Sequence, residues 1–284
     1  MGDAHQPRAE LGDFLRRRRQ QTDPASVGLI RAGSRRTPGL RREEVSLLSG
    51  VSVTWYTWLE QGRDISPSAQ VIDALARTLR LSDAEHEYAL RLAGHRQRPP
   101  SYCDGERLPP HGQRLLDALG DSPAYAITPA WYIVGWNAAY ESFYPGIATV
   151  PDADRNLLWL VFTDDRVRTM LPNWEVDSRC FLAQFRAEAG AWVHQPPVSE
   201  LLVRLRAASA DFRAGWAAHD VEQFTSRQRR FVHPLQGELL LEHHRLDLSD
   251  PPGLHVVVYT AVPGGGTGAK LARLRAGSSD VRTP

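Results

Sequence analysis

A serine and a glycine four residues apart, set among apolar residues at fixed spacing, constrain this chain more than any other feature. They are Ser46 and Gly50, within Arg42-Glu43-Glu44-Val45-Ser46-Leu47-Leu48-Ser49-Gly50-Val51-Ser52-Val53-Thr54-Trp55-Tyr56-Thr57-Trp58-Leu59-Glu60. Two short helices cross steeply only where their contact is small and the turn between them is permissive. Ser46 keeps the contact small, and Gly50 takes a left-handed turn conformation without steric cost. Val45, Val51, Tyr56 and Leu59 fall at the inward positions of such a pair. Ser52 is placed to cap the second helix by accepting a backbone N–H bond. That helix then presents Val53, Thr54, Thr57 and Trp58 outward near its N-terminus. The pattern is that of a helix-turn-helix, whose second helix enters the major groove of DNA.

Charge supports a polyanion-binding surface on the same half. The whole chain of 284 residues carries a net charge of only +1. Residues 8–42, however, hold ten arginines against Glu10, Asp13 and Asp23, while residues 101–284 are net acidic. Arg16-Arg17-Arg18-Arg19 beside a helix-turn-helix reads as phosphate-contacting, and Arg35, Arg36, Arg42 and Arg63 are assigned to the same role. Direct base readout falls to Val53, Thr54 and Thr57 at the start of the second helix, with Ser52, Trp55 and Trp58 as further DNA-binding residues.

The rest of the N-terminal third reads as helices closed by turn residues. Residues 10–21 carry Leu11, Phe14 and Leu15 on one face, and Asp23-Pro24 ends the run. A basic loop follows to Pro38-Gly39. Ser66-Pro67 opens another helix, with Val71, Ile72, Leu75, Ala76 and Leu79 as its apolar stripe. Ser82-Asp83-Ala84-Glu85 is a capping box for a fifth. An all-α DNA-binding domain over residues 8–95 is therefore expected. Four prolines mark residues 96–110 as a linker.

Residues 111–275 read as a mixed α+β domain. Strands are expected over 125–128, 131–136, 230–233, 237–246 and 254–261, with a turn at 247–253. Asn137 is placed to cap a helix over 138–144, and one long helix is expected over 198–218. Seventeen of the 24 aromatic residues lie between Tyr125 and Phe231. Such enrichment either fills a core or lines an apolar cavity. Trp131, Trp136, Phe143, Phe162, Phe181, Phe185, Phe212 and Trp216 are the candidate ligand-binding residues.

Several function classes are disfavoured. No run of 18 apolar residues exists, and Met1 to Pro7 lacks the apolar stretch of a secretion signal. Cys103 and Cys180 are far apart with no metal-ligand spacing, so a reducing cytoplasm is the expected compartment. His243 and His244 are adjacent on a strand and point to opposite faces, which argues against joint chelation with His233 and His255. No nucleophile elbow, phosphate-binding loop or Cys-x-x-Cys pair is present, and neither a cofactor nor catalysis is expected.

Pro38-Gly39-Leu40-Arg41-Arg42-Glu43-Glu44-Val45, Gly50-Val51-Ser52 and Trp55 through Arg63 together resemble the XRE-type regulators of actinobacteria. Trp136-Asn137, Trp216, His233-Pro234, Gly237-Glu238-Leu239 and Val257-Val258-Tyr259-Thr260 resemble an MmyB-like ligand-binding domain. The resemblance runs from about residue 10 to 275. It implies a lambda-repressor-like helical domain, then a PAS-like sheet whose cavity accepts a fatty acid or another apolar molecule, and a homodimer on double-stranded DNA. It adds Asn137 and His233 to the candidate ligand site. The expected function is an effector-responsive transcriptional regulator. Two alternatives stand beside it: a regulator whose second domain is a packed dimerisation module, and an enzyme on a small apolar substrate using Asn137.

Overall fold

Side-chain caps set where the N-terminal helices begin. The computed structural model describes residues 5–29, 39–95, 107–250 and 252–279. Helix α1 spans His5–Gln21, and a 3₁₀ turn at Pro24–Val27 is opened by the Asp23 carboxylate, which accepts from the Ala25 N–H. Helix α2 is Arg42–Ser49 and α3 is Val53–Glu60. Arg41 occupies the cap position of α2, and Glu44 reaches back to accept its N–H at 2.7 Å. Gly50 then turns with φ +74°, the left-handed conformation expected of it. Ser52 Oγ accepts from the Trp55 N–H at 3.2 Å. Helix α4 runs Ala69–Thr78 and is capped by Ser68, not by Ser66, because Pro67 stays outside the helix. Helix α5, Asp83–Leu92, has the full reciprocal box of Ser82 and Glu85.

The chain divides into two compact units. The first unit gathers residues 1–98 with 186–202 and 215–223; the second gathers 99–185, 203–214 and 224–284. The expected linker lies largely outside the described residues.

In the first unit, Leu11, Phe14 and Leu15 of α1 meet Val45, Tyr56, Leu59, Ile72, Leu75 and Tyr88 in one buried cluster. Period-3.6 spacing puts these residues on inward faces. A Cβ added to Gly12 would lie 2.7 Å from the carbonyl oxygens of Leu59 and Glu60, so α1 rests backbone against backbone on the end of α3. Glu60 is buried there between two arginines. Its carboxylate accepts from Arg19 Nε at 2.6 Å and Arg42 Nε at 2.8 Å, while Arg16 donates to its carbonyl. Burial alone would raise the Glu60 carboxyl, but Arg19 and then Arg42 hold it below the ordinary carboxylate value.

The second unit is a five-stranded antiparallel sheet with helices on it. Helix α6, Pro110–Ala118, precedes β1, Ala124–Ile127, and β2, Ile133–Trp136. Then come α7 (Ala138–Phe143), α8 (Leu157–Thr163), α9 (Asp165–Met170) and α10 (Trp174–Ala189). Helices α11 (Val198–Ala208) and α12 (Ala210–Ala217) lead to strands β3 (Arg227–His233), β4 (Gly237–Ser249) and β5 (Pro252–Ala261), and α13 (Thr267–Ser279) follows. The strand order is β2-β1-β5-β4-β3. One face buries Ala124, Ala126, Leu254, Val256 and Val258 against Leu108 and Leu116. Alternation turns Tyr125, Phe231, Leu239, Leu241 and Tyr259 to the other face.

Three expectations need correction. The single helix over 198–218 is two, because Ser209 interrupts it and its hydroxyl accepts from the Phe212 N–H at 3.1 Å. The strand expected from Trp131 starts at Ile133, since Trp131 sits in a turn with φ +66°. Its indole is held by packing edge-on to Phe185 at 5.3 Å, which offsets the cost of that backbone conformation. Strands β4 and β5 extend through residues expected in their turn, pairing Ser249 with Pro252.

Removing a partner from a buried ion pair leaves the other charge uncompensated. Glu60→Ala is therefore expected to lower unfolding free energy by about 3–5 kcal/mol in denaturant titration, far more than a surface Glu43→Ala.

Candidate functional site

Helix α3 turns two faces to different surroundings. Tyr56, Leu59 and Glu60 are buried, whereas Thr54 and Trp58 are exposed. Val53 and Thr57 are half-buried beside them. Trp55 packs partly against the hydrophobic core, which limits what its ring can offer outward. The Ser52 hydroxyl is engaged as the helix cap. Thr57 Oγ1 donates to the Val53 carbonyl at 2.8 Å, so its outward capacity is a methyl group and acceptor lone pairs. Arg63 places its guanidinium 5.5 Å from the Trp58 ring centroid, and its Nε donates to Gln61.

The arginines divide by burial, and this corrects the reading of the basic run. Arg19 is buried on Glu60. Arg18 pairs with Glu85 at 2.8 Å and donates to the His219 carbonyl. Both therefore serve the fold; Arg17 remains exposed. Arg42 is tied to Glu60 yet keeps 39% of its side chain accessible, so it is held in one orientation at the start of α2. Arg35 and Arg36 lie outside the described residues.

The second unit contains an apolar cavity of about 50 Å³. Its walls are Tyr140, Phe143 and Tyr144 at α7, Leu157, Leu160 and Val161 of α8, Val167, Met170 and Leu171 at α9, Phe181 of α10, and Phe231 and Tyr259 of the sheet. Phe143 and Phe181 are the members of the expected set that reach it. The others are placed elsewhere by identifiable contacts. Trp131 and Phe185 pack on each other, Phe162 lies between Trp174 and Phe212, and Trp136 stacks under Arg155. Trp216 belongs to the first unit, beneath Arg186 at 4.1 Å. His233 lies beside Phe143 at the end of β3, where its Nδ1 accepts from the Leu235 N–H.

Asn137 needs the clearest correction. Its Oδ1 accepts from the N–H groups of Ala124 and Tyr140, and its Nδ2 donates to the carbonyls of Leu116 and Ser122. Those four bonds exhaust an amide side chain. The residue caps α7 and joins it to β1 and α6, with nothing left for a ligand or a substrate.

Sequence reasoning missed a charged group beside the cavity. Arg229 of β3 is 3% exposed and donates from Nε to Asp177 at 2.9 Å. Its guanidinium lies 4.2 Å from the Phe181 ring centroid, and its two η nitrogens have no hydrogen-bond partner. Tyr259, another cavity wall, lies within its electrostatic reach. Nearby His243 is pushed down to about 4, first by burial and then by the Arg229 charge, so its imidazole is neutral at pH 7. Unsatisfied buried donors of positive charge suit an anionic group. The signal in the sequence was Arg227 and Arg229 alternating with Phe231 on one strand face, which the strand expected to begin at residue 230 cut off.

Among the described residues no three or more His, Cys, Asp or Glu side chains gather as a metal site, and no helix is long and apolar enough to cross a membrane. No curated protein matches the chain in sequence. Two family models do. One, described as a helix-turn-helix domain, matches residues 10–89. The other, described as the MmyB-like transcription regulator ligand binding domain, matches residues 108–274. The chain thus belongs to the family of the MmyB-like transcription regulator ligand binding domain and carries a helix-turn-helix domain ahead of it.

Proposed function

We propose that this protein is a cytoplasmic, sequence-specific regulator of transcription, of the XRE type, whose operator binding is tuned by an apolar small molecule with an anionic head. The observation that carries the reading is the exposed face of α3. Thr54 and Trp58 face solvent while Tyr56 and Leu59 anchor the same helix in the core. In the major groove the Thr57 methyl meets a thymine methyl and its oxygen accepts from an adenine or cytosine amino group. Arg17, Arg42 and Arg63 contact phosphates, with Arg35 and Arg36 assigned the same role from sequence. Two copies, associated through the second unit, place paired helices on successive major grooves.

A fatty-acid-like effector fits the chemistry of the PAS-like second unit. The cavity walls are apolar, and the open η nitrogens of Arg229 suit a carboxylate. The cavity must widen, because small-molecule pockets span about 300–1,000 Å³. Its walls include α8 and α9, of seven and six residues, joined at Asp164. Helices this short have little stability of their own and can yield to a ligand. The small volume also favours a second reading, in which the unit is a filled core that only dimerises.

Two experiments test these roles. On a duplex selected from random DNA by the full chain, Thr54→Ala is expected to cost about 1–3 kcal/mol and to spare random sequence. Arg63→Ala is expected to weaken all sequences alike and to reduce the salt slope by about one. Equal losses on random DNA for both would refute the roles assigned.

For the cavity, dodecanoate binding by calorimetry is expected for the wild type, lost in Val161→Trp and weakened about tenfold or more in Arg229→Gln. A fall in melting temperature for Val161→Trp, with no dodecanoate binding by any variant, would instead establish the filled core.

A further inference from the structure

Two neighbouring residues on the aromatic face of the sheet are left with opposite hydrogen-bonding deficits. Strand register sets His243 of β4 between Arg227 of β3 and Tyr259 of β5, with Arg229 on its diagonal. Diagonal neighbours on one sheet face stand about 7–8 Å apart, within reach of a side chain as long as arginine. Arg229, His243 and Tyr259 are all buried.

The deficit of Arg229 is of acceptors. Its Nε donates to Asp177, whereas Nη1 and Nη2 carry hydrogens that nothing receives. His243 lacks a donor. Its Nδ1 stands 3.0 Å from the Arg227 carbonyl oxygen. A carbonyl only accepts, so Nδ1 holds the ring proton. Burial, and then the Arg229 charge, keep the ring from taking a second proton at neutral pH. Nε2 is therefore a bare lone pair, and it has no hydrogen-bond partner. Packing holds both groups in place: Phe224 lies edge-on to the His243 ring at 5.0 Å, and the Arg229 guanidinium lies 4.2 Å from the Phe181 ring centroid.

A simple carboxylate answers half of this demand. Its oxygens accept from the η nitrogens, but it has no proton to give Nε2. A buried acceptor left unmet costs free energy that a hydroxyl recovers. The surroundings also fit a molecule with a polar head and an apolar body. Phe181, under the guanidinium, and Tyr259, whose ring centroid is 6.2 Å from that of His243, are both walls of the apolar cavity.

We propose that the effector is a hydroxy acid: Arg229 Nη1 and Nη2 receive its carboxylate, a hydroxyl near that carboxylate donates to His243 Nε2, and its chain fills the cavity. This hydroxyl contact rests on the reading of the second unit as the binding site of an effector with an anionic head. His243 then sets specificity, because an analogue without the hydroxyl leaves Nε2 unpaired.

Calorimetric titration of the full-length protein with acids of one chain length tests this. The probes are dodecanoate, its 2- and 3-hydroxy acids, and its 2- and 3-oxo acids. An oxo oxygen sits where the hydroxyl oxygen would but only accepts, so it separates the donated proton from polarity and size. One hydroxy acid is expected to bind the wild type about tenfold or more tighter than dodecanoate and than its own oxo counterpart. His243→Phe is expected to bring these affinities within about twofold of one another while dodecanoate still binds. Equal binding of all the acids by the wild type overturns the proposal, since a water molecule would then complete His243. A preference that persists in folded His243→Phe overturns it as well. Circular dichroism checks folding; if His243→Phe is unfolded, the wild-type preference for the hydroxy over the oxo acid decides. Binding without preference removes only the hydroxyl contact, whereas no binding of any acid removes the anionic effector and the hydroxyl contact together.

Discussion

A carboxylate without access to water organises the DNA-reading half of this protein. Glu60 ends α3, and its oxygens are shared by Arg19 of α1 and Arg42 of α2. Charges removed from water are tolerated only when paired and hydrogen-bonded, so three helices meet in one arrangement or the pairing fails. Gly12 lets α1 approach closely enough for Arg16 and Arg19 to reach. The outward face of α3 follows from that lock. Thr54 and Trp58 are exposed because Tyr56, Leu59 and Glu60 on the opposite side have nowhere else to go.

The second unit is organised by a different device, a neutral amide. Asn137 spends four hydrogen bonds to fasten α7 between α6 and β1. That places Tyr140, Phe143 and Tyr144 over the sheet, where they become the roof of the cavity. Rigid support on this side contrasts with the short helices α8 and α9 on the other. A pocket with one firm wall and one deformable wall can respond to an occupant by moving in a defined direction. Arg229 supplies a buried charged donor next to it.

Local signals were legible in the sequence and distant ones were not. The α2–α3 pair depends on residues within one turn of each other, so Ser46, Gly50 and Ser52 declared it, and five strands followed from alternation. By contrast, Arg19 and Glu60 are 41 residues apart, and nothing near either says that the basic run is partly interior. The same blindness affected the aromatic residues. Their density announced an apolar interior, but which rings face the cavity depends on packing between α7, α8 and α10. Only Phe143 and Phe181 of the expected rings reach it, while the aliphatic residues of α8 and α9 drew no attention because they look like any core. Asn137 was correctly placed as a helix cap; its further bonds to Leu116 and Ser122 required tertiary structure to see.

The central claim is that the exposed face of α3 lies against bases. Site-specific photocrosslinking tests it most directly, with benzoylphenylalanine in place of Thr54 and, as a control, in place of Val203, which is 64% exposed in the second unit. Covalent capture of bases in a bound duplex from position 54, and none from position 203, is the expected result. Bound duplex without any capture from position 54 would contradict it.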